Sequence, residues 1–517
     1  MNRPRPPDGL PTSPLRCAAS ALSACSNEWS APLTSTSPSL GRQASRGAAQ
    51  TLVWQAARIV IQFGGLIVLA RLLDPNAFGL IAMIAVIVGI ADLLRDFGLT
   101  NASIQAKTLS DHQRSNLFWL NVVIGVVLTL AIYLAAPLVA DFYGEPDLRY
   151  LTEVLAGVVF INALGAQFRA EVNREMRFVA LNATEVVPAA GGLIGAVIIA
   201  IATGSVWALV AQQLITSALS TVSLVAVSRW RPRGPNRQGD IRPIVKVGGG
   251  MLGTNAVAFS TRNADNIMIG AAWGATSLGL YSRAYQLVML PVNQLLAPFT
   301  RVALPVLSRV QDDRTRFVNY LRGGQLVGIY IVGTLYALLI GFAQPAVEIV
   351  FGPAWLGMVP IVQCLAIAAA FRSLGQIAYW AYVATGNTGA QFRFYLVSQP
   401  LIVVGCLAGL PWGPVGVATA LSVGYGLNWL ASMAWCERAT GLPMRSLAGA
   451  ALWRTARHGV PAVAIALTTS SLVDHSLLAI AVGTFLAGSY WLLAFVVSRS
   501  FRADCAKLLS MTRKMKK

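Results

Sequence analysis

Long apolar runs are the feature that most constrains how this chain can fold. Stretches of roughly 20 apolar residues recur from about residue 48 almost to the C-terminus, and a helix of that length crosses about 30 Å of hydrocarbon. The chain is 55% hydrophobic and only 12% charged, so it is more apolar and less charged than the average soluble domain. Transmembrane barrels instead show alternation over segments of about 10 residues, so the sequence predicts an all-α membrane protein.

The apolar runs divide into about fourteen predicted transmembrane helices, bounded by charged residues, Pro, Gly or Asn. They cover residues 48–70, 78–96, 116–140, 148–168, 180–202, 205–228, 246–272, 279–306, 323–347, 356–379, 393–411, 414–436, 457–473 and 477–498. We expect a disordered cytoplasmic extension at 1–47, an N-terminal six-helix bundle at 48–228, a basic cytoplasmic linker at 229–245, a second six-helix bundle at 246–436, two additional helices at 437–498 and a basic cytoplasmic tail at 499–517.

The basic residues are confined to alternate loops. The chain has 40 Lys and Arg against 21 Asp and Glu, a net charge of +19, which in a soluble protein would suggest nucleic-acid binding. Here the basic loops include "RAEVNREMRF" and "SRWRPRGPNRQGDIRPIVK". The loops on the opposite side, such as "DFYGEPD" and "VDHS", carry no Lys or Arg. This distribution follows the positive-inside rule, so it predicts that both termini are cytoplasmic and excludes a nucleic-acid partner.

The two predicted bundles are related by an internal sequence repeat. Residues 72–81, "LLDPNAFGLI", align without gaps on residues 272–281, "AWGATSLGLY", and this pairs Gly79 with Gly279. Further matches pair Thr100 with Thr300, Arg114 with Arg314, "PLVADFYG" (137–144) with "PAVEIVFG" (345–352), and Arg177-Phe178 with Arg393-Phe394. Because each half holds six spans, the halves have the same orientation, and we expect a substrate cavity between them.

Charged residues inside the predicted spans are the candidate functional residues, because a charge at the bilayer centre costs roughly 2.5 to 3.5 kcal/mol. Within "STRNADNIMIG", the spacing places Arg262, Asp265 and Asn266 on one helical face. This pattern fits either an intrahelical ion pair or a cavity wall on which Arg262 binds an anion. Gln62 is the repeat partner of Arg262, and the other charges near span centres are Arg58, Glu185 and Arg372.

No catalytic, cofactor or metal motif is visible in the sequence. The six cysteines have no CxxC spacing, the three histidines have no ligand spacing, and there is no HExxH or GK[ST] signature. Glu185 is compatible with two roles, a protonation or cation site for ion coupling and a buried neutral acid. We therefore predict a transporter without cofactors and not an enzyme.

Several motifs resemble the polysaccharide transporter family, the Wzx-type flippases of the multidrug/oligosaccharidyl-lipid/polysaccharide flippase superfamily. They are "ARLLDPNAFGLIAMI", "DFGLTNASIQ", "REMRF" and "DNIMIGAAWGATSLGLYSRAYQLVMLPVNQLLAPFTRVALPVLSRVQDD". The resemblance covers about residues 45–500. Asp74 is a departure, since members of the family often have Gly there.

The resemblance implies two six-helix bundles that face each other in a V and move an undecaprenyl-diphosphate-linked oligosaccharide across the bacterial inner membrane by alternating access. It implies that Arg58, Arg262 and Arg372 bind the diphosphate, and that a polysaccharide polymerase and export machinery are further partners. Asp265 would orient Arg262 or release it when protonated, whereas Glu185, Gln62 and Asn266 are candidates for ion coupling or orientation. The alternatives are a cation-coupled drug or metabolite antiporter of the same superfamily and a membrane glycan polymerase or ligase.

Overall fold

The computed structural model describes residues 38–96, 109–236 and 240–515, and within these ranges the chain is helical with no strand. The first half comprises α1 (Pro38–Leu72), α2 (Pro75–Asp96), α3 (Asp111–Tyr143), α4 (Leu148–Arg174), α5 (Phe178–Thr203) and α6 (Trp207–Val227). The second half comprises α7 (Arg242–Arg309), α8 (Arg314–Val327), α9 (Thr334–Gly341), α10 (Ala343–Val350), α11 (Val359–Ala384), α12 (Thr388–Gly409) and α13 (Gly413–Thr440). The chain ends with α14 (Met444–Leu472), α15 (Ser476–Val497) and α16 (Arg499–Met515).

The helices fit a membrane protein in length and composition. Among the described residues, 10 helical segments are long and apolar enough to cross a membrane, and one of them, Thr388–Thr440, contains both α12 and α13. The predicted spans at 246–272, 279–306 and 457–473 lie in α7 and α14 and are not among these 10 segments. Arg, Asn, Asp and Gln side chains make α7 more polar than the preceding helix α6. The prediction of an all-α membrane protein is confirmed.

Helix α7 consists of two arms joined at Gly274. Gly274 has φ 75° and ψ −178°, and the residues on either side of it are helical. This backbone conformation is open to glycine and costly for other residues. The two arms therefore correspond to the two separate spans that the sequence predicts on either side of residue 274.

At the repeat-related position in the first half, Asp74 lies between α1 and α2. Its Oδ1 accepts a hydrogen bond from the backbone N–H of Ala77 at 3.0 Å. Aspartate is among the residues that best cap a helix N-terminus in this way. The departure from Gly at this position thus leaves α2 with a side-chain cap.

The repeat is visible in the contact between α2 and the second arm of α7. An ideal Cβ on Gly79 would lie 1.7 Å from the carbonyl oxygen of Ala275, and one on Gly279 would lie 1.8 Å from that of Pro75. The two contacts are equivalent to each other, because the repeat pairs residue 75 with 275 and residue 79 with 279. Such reciprocity is typical of two-fold symmetric contacts. Helices in membranes approach this closely where small residues leave room for backbone-to-backbone packing.

Aromatic residues surround this helix crossing. Trp355 is fully buried, and its indole N–H donates to the carbonyl oxygen of Ala70 at 2.8 Å. The rings of Phe78 and Trp355 meet edge to face, with their centroids 5.3 Å apart. The guanidinium carbon of Arg283 lies over the ring of Phe78, 4.5 Å from its centroid. The indole and the cation thus reinforce the contact between α2 and the second half of the chain.

Several helices extend beyond their predicted limits. Helix α1 begins at Pro38, so residues 38–47 of the predicted disordered extension are helical, and residues 1–37 lie outside the described residues. Helix α14 begins at Met444, before the predicted 457, and most of the predicted tail forms α16. Ala, Arg and Gln favour helix at these ends although they are not apolar enough to be counted in a span.

The predicted helix at 323–347 is interrupted in the structure. A π-helical segment, Gly328–Gly333, separates α8 from α9, and a further break at Phe342 precedes α10. Hydrophobic periodicity does not distinguish such interruptions from continuous helix, because the apolar pattern runs through both. Thr100 of the repeat and residues 97–108, which contain most of "DFGLTNASIQ", lie outside the described residues, as do 237–239 of the linker.

The close crossing predicts a large effect of one methyl group. We expect Gly79→Ala or Gly279→Ala to lower the free energy of unfolding by about 1–3 kcal/mol, because a Cβ would overlap a backbone carbonyl that no rotamer change can move. The measurement is the midpoint of thermal unfolding of the detergent-purified protein. Gly157→Ala in α4 is the control, since no atom lies within 4 Å of its Cβ position. Equal midpoints in all three variants would contradict the prediction.

Candidate functional site

A large cavity is enclosed by α7, α11, α12 and α13. Its volume is about 1010 Å³, at the upper end of the range of small-molecule sites, which is about 300–1,000 Å³. The lining residues of this cavity all lie between 261 and 432, in the second half of the chain. The polar lining residues include Arg262, Asp265, Arg372, Gln376, Gln399 and Asn428, and the aromatic ones include Tyr285, Phe371, Tyr379, Tyr395, Tyr425 and Trp429.

The sequence predicts a cavity between the two halves, whereas this cavity lies inside the second one. At the Gly79–Gly279 crossing the two backbones are in contact, so no room is left there for a substrate. Within the second half, aromatic and arginine side chains of α7, α11 and α13 line the open space.

Arg262 and Arg372 are the cationic groups of the cavity wall. Arg262 is exposed to the cavity from the first arm of α7, and Arg372 is half-buried on α11, where its Nη1 lies 3.5 Å from the sulfur of Met289. Tyr285 lines the same cavity as both arginines. In the part of the chain that the structure describes, neither arginine forms a salt bridge, so both can interact with a bound anion.

Asp265 also belongs to this wall, but it is buried and does not pair with Arg262. It is 8% exposed, and its Oδ2 accepts a hydrogen bond of 2.7 Å from the hydroxyl of Tyr281, which is fully buried. The other carboxylate oxygen accepts from the backbone N–H of Asn266 at 2.9 Å. Asp265 thus does not orient Arg262 through a direct ion pair, because the carboxylate is bonded to a tyrosine on the other arm of α7.

The hydrogen bond between Asp265 and Tyr281 also connects the two arms of α7. Asp265 precedes the break at Gly274 and Tyr281 follows it. A buried carboxylate that lost this donor would retain only its backbone partner, and leaving such a group unsatisfied costs about 1–3 kcal/mol. The pair therefore stabilises the bent form of α7 at the edge of the cavity.

Glu185 lies outside this cavity, in an arginine cluster of the first half. Its Oε2 accepts from Arg58 and its Oε1 from Arg169, each at 3.0 Å. The side chains of Arg58, Arg169 and Glu185 are 48%, 42% and 26% exposed, respectively. Two arginines thus share one carboxylate, and the cluster carries a net charge of about +1 at neutral pH.

Known proteins are similar to this chain in sequence and in fold. Residues 68–360 match the protein family described as "Polysaccharide biosynthesis protein". The chain belongs to this family.

Curated relatives cover most of the chain. The chain is 29% identical over 375 residues to the lipopolysaccharide biosynthesis protein WzxC of Escherichia coli (strain K12), covering 70% of this chain and 75% of the relative. It is 24% identical over 338 residues to the succinoglycan biosynthesis transport protein ExoT of Rhizobium meliloti (strain 1021), covering 62% of this chain and 68% of the relative.

A solved structure shows the same fold. The structure of the lipid II flippase MurJ in an inward closed conformation matches with a TM-score of 0.69 at 15% sequence identity, over 86% of this chain and 99% of that chain. The protein is thus a multi-pass membrane protein of the polysaccharide biosynthesis family with a transporter fold.

The structure brings together only part of the predicted site. Arg262, Asp265 and Arg372 line one cavity, whereas Gln62 and Asn266 do not line it and Arg58 belongs to the first-half cluster. Asn266 turns away although it lies one residue from Asp265, and its buried Oδ1 has no hydrogen-bond partner. Helical spacing predicts a shared face, but the width of the cavity decides which residues on that face reach it.

Sequence reasoning missed two kinds of residue. Tyr281 and Tyr285 are polar residues of α7 near the cavity, but tyrosine is common in transmembrane helices and gives no signal by itself. Arg169 falls just beyond the predicted span 148–168, because α4 continues to Arg174. A longer helix prediction would have placed Arg169 beside Glu185 of the following helix.

The Asp265–Tyr281 pair predicts a specific stability change. We expect Tyr281→Phe to lower the free energy of unfolding by about 1–3 kcal/mol, because it leaves one oxygen of a buried carboxylate without its donor. Thermal unfolding in detergent measures the change. Tyr395→Phe is the matched control, since Tyr395 lines the same cavity and is 39% exposed. A loss of stability in the control as large as that in Tyr281→Phe would contradict the assignment.

Proposed function

We propose that this protein is a flippase that moves undecaprenyl-diphosphate-linked oligosaccharide units from the cytoplasmic to the periplasmic leaflet of the bacterial inner membrane, for exopolysaccharide, O-antigen or capsule synthesis. The observation that carries the proposal is the 1010 Å³ cavity whose wall holds two arginines and one aspartate that is already hydrogen-bonded. Membership of the polysaccharide biosynthesis family supports the substrate class. The names of ExoT, a transport protein, and MurJ, a flippase, support a transport role over an enzymatic one.

Arg262 and Arg372 bind the diphosphate in this proposal. A guanidinium presents several N–H donors in a plane and stays charged at any physiological pH, so it suits phosphate oxygens. The surrounding tyrosines, glutamines and asparagine offer rings and hydrogen-bonding groups to sugars, as in other sites that combine an apolar wall with a few polar groups. The lipid tail stays in the bilayer, and alternating access of the two six-helix halves exposes the cavity to each side in turn.

Arg58 has a secondary role in this mechanism. With Arg169 and Glu185 it forms a cluster of net positive charge on the first half. A diphosphate that approaches the cluster competes with Glu185 for the two arginines. Arg58 therefore attracts the anion without binding it as tightly as Arg262 and Arg372, which have no carboxylate partner among the described residues.

Both termini are cytoplasmic in this arrangement, and a polysaccharide polymerase and export machinery receive the product.

The membrane potential can supply the driving force. An anion that leaves a cytoplasm with a negative potential gains roughly 2.3 kcal/mol per charge per 100 mV. A diphosphate with about two negative charges therefore gains on the order of 4.6 kcal/mol at a membrane potential of about 100 mV. Export needs no dedicated ion site under these conditions, which agrees with the pairing of Glu185 to two arginines.

The cavity arginines predict a transport defect. In cells that lack the gene, we expect lipid-linked oligosaccharide to accumulate on the cytoplasmic face, and wild-type protein to restore export. Arg262→Gln or Arg372→Gln should reduce export at least about tenfold, since each removes a charged hydrogen-bond partner that is worth about 1.5–3 kcal/mol. The measurement is the amount and sidedness of the lipid-linked oligosaccharide.

Arg309→Gln is the control for this experiment, because it removes one positive charge at an exposed position outside the cavity. Accumulation on the outer face would contradict the flippase and indicate a polymerase or ligase. Unchanged levels on both faces would reject this substrate class.

The driving force can be tested separately. In cells or vesicles, we expect export to persist when an ionophore abolishes the pH gradient and to fall when the membrane potential is abolished. The physical reason is that the substrate itself carries the charge that responds to the potential. Loss of export with the pH gradient alone would instead favour a proton-coupled antiporter.

A further inference from the structure

The segment that follows α6 is fastened to the start of α3. Residues 228–236, here called the basic strap, run without helix along the first turns of that helix. Asn116 forms a reciprocal pair with Asn236: its Nδ2 donates to the Asn236 carbonyl at 2.6 Å and its Oδ1 accepts from the Asn236 N–H at 2.9 Å. The N–H of Arg233 donates to Ser115 Oγ at 3.1 Å, and the indole N–H of Trp119 donates to the Arg233 carbonyl at 2.8 Å.

An aromatic contact fixes the other end of the basic strap. The ring of Trp230 packs against Phe118 and Phe168, with centroid distances of 6.2 Å and 5.4 Å. Side chains of α3 and α4 thus hold the strap at both ends. Fixing the backbone of one residue costs about 1–2 kcal/mol of conformational entropy. The contacts to α3 and α4 offset this cost and keep the strap in one conformation.

The fixed backbone presents three arginines on one side. Arg229, Arg231 and Arg233 are exposed, whereas Trp230 and Pro232 between them are partly buried. This alternation is what an extended chain produces when one of its two sides packs against a surface. The strap "SRWRPRGPN" contains no acidic residue and carries three positive charges. The guanidinium of Arg231 also donates to the backbone carbonyls of Ser228 at 2.7 Å and Trp230 at 2.9 Å.

The basic strap lies at the boundary between membrane and water. It begins where the candidate span Trp207–Val227 ends, and it contacts the first two turns of the candidate span Asp111–Tyr143. Trp119 contacts the strap and Trp230 is part of it, and tryptophan is enriched at the level of lipid headgroups. We therefore expect these arginines to lie near the phosphate groups of the surrounding lipids.

We propose that the basic strap binds the phosphate groups of anionic phospholipids at the membrane surface. Basic residues next to a transmembrane helix are attracted to anionic headgroups. The hydrogen bonds from α3 add pre-organisation, since the three arginines need no backbone ordering before they bind. The strap joins the two halves of the chain, so bound lipids would hold this connection at a fixed depth in the bilayer.

The test uses the full-length protein purified in mild detergent and native mass spectrometry with added phosphatidylglycerol or phosphatidylcholine. We expect wild-type protein to retain phosphatidylglycerol in preference to phosphatidylcholine. The triple variant Arg229→Gln, Arg231→Gln, Arg233→Gln should bind phosphatidylglycerol on the order of 100-fold more weakly. The control is Arg309→Gln, Arg322→Gln, Arg438→Gln, which removes the same charge from exposed positions elsewhere.

A second variant separates charge from pre-organisation. Asn116→Ala keeps all three arginines and removes both hydrogen bonds to Asn236. We expect it to bind phosphatidylglycerol about 3-fold to 10-fold more weakly than wild type, because part of the ordering is lost. Thermal unfolding checks that each variant is folded.

Two results would overturn the proposal. Equal loss of phosphatidylglycerol in the strap and control triple variants would mean that net charge alone determines lipid binding. Unchanged lipid retention in the strap variant, together with loss of a stabilising effect of inorganic diphosphate on thermal unfolding, would assign the strap to a diphosphate ligand and not to phospholipid.

Discussion

Hydrocarbon offers no hydrogen-bond partner and no solvation for charge, and the rest of the structure depends on that constraint. It forces the spans to be helices, because only a helix satisfies its backbone groups within one segment. It also restricts charged side chains to sites with a partner or an open cavity. Glu185 has two arginine partners, Asp265 has a tyrosine partner, and Arg262 and Arg372 face the cavity.

The same constraint explains how the halves of the chain meet. Apolar side chains gain nothing from contact with each other that lipid tails would not also provide, so close packing has to come from small residues. Gly79 and Gly279 each lie against a backbone carbonyl of the other half, and their positions are equivalent in the repeat. The buried indole of Trp355 fills the space beside them and satisfies a carbonyl oxygen of α1. A duplicated sequence thus produces a nearly symmetric contact.

The charges do not share this symmetry. In the first half, two arginines are attached to Glu185, so their attraction for an anion is reduced. In the second half, Arg262 and Arg372 have no carboxylate partner among the described residues, because Asp265 is bonded to Tyr281. An anion would therefore bind more strongly to the second half. The Gly79–Gly279 contact thus follows the repeat, whereas the charged groups of the two halves are paired differently.

The sequence by itself determined the class of protein and the charged residues that have to be accommodated inside the membrane, and it predicted fourteen spans and an internal repeat. These follow from local properties, the length of an apolar run and the cost of a charge, which need no knowledge of neighbours. Only the tertiary structure decided which charges pair. Arg262 and Asp265 share a helical face, yet Asp265 is bonded across the Gly274 break and Arg58 is bonded to Glu185, 127 residues away. The position of the cavity and the attachment of the basic strap to α3 were likewise decided by packing between helices that are distant in sequence, because spacing within one helix cannot specify its neighbour.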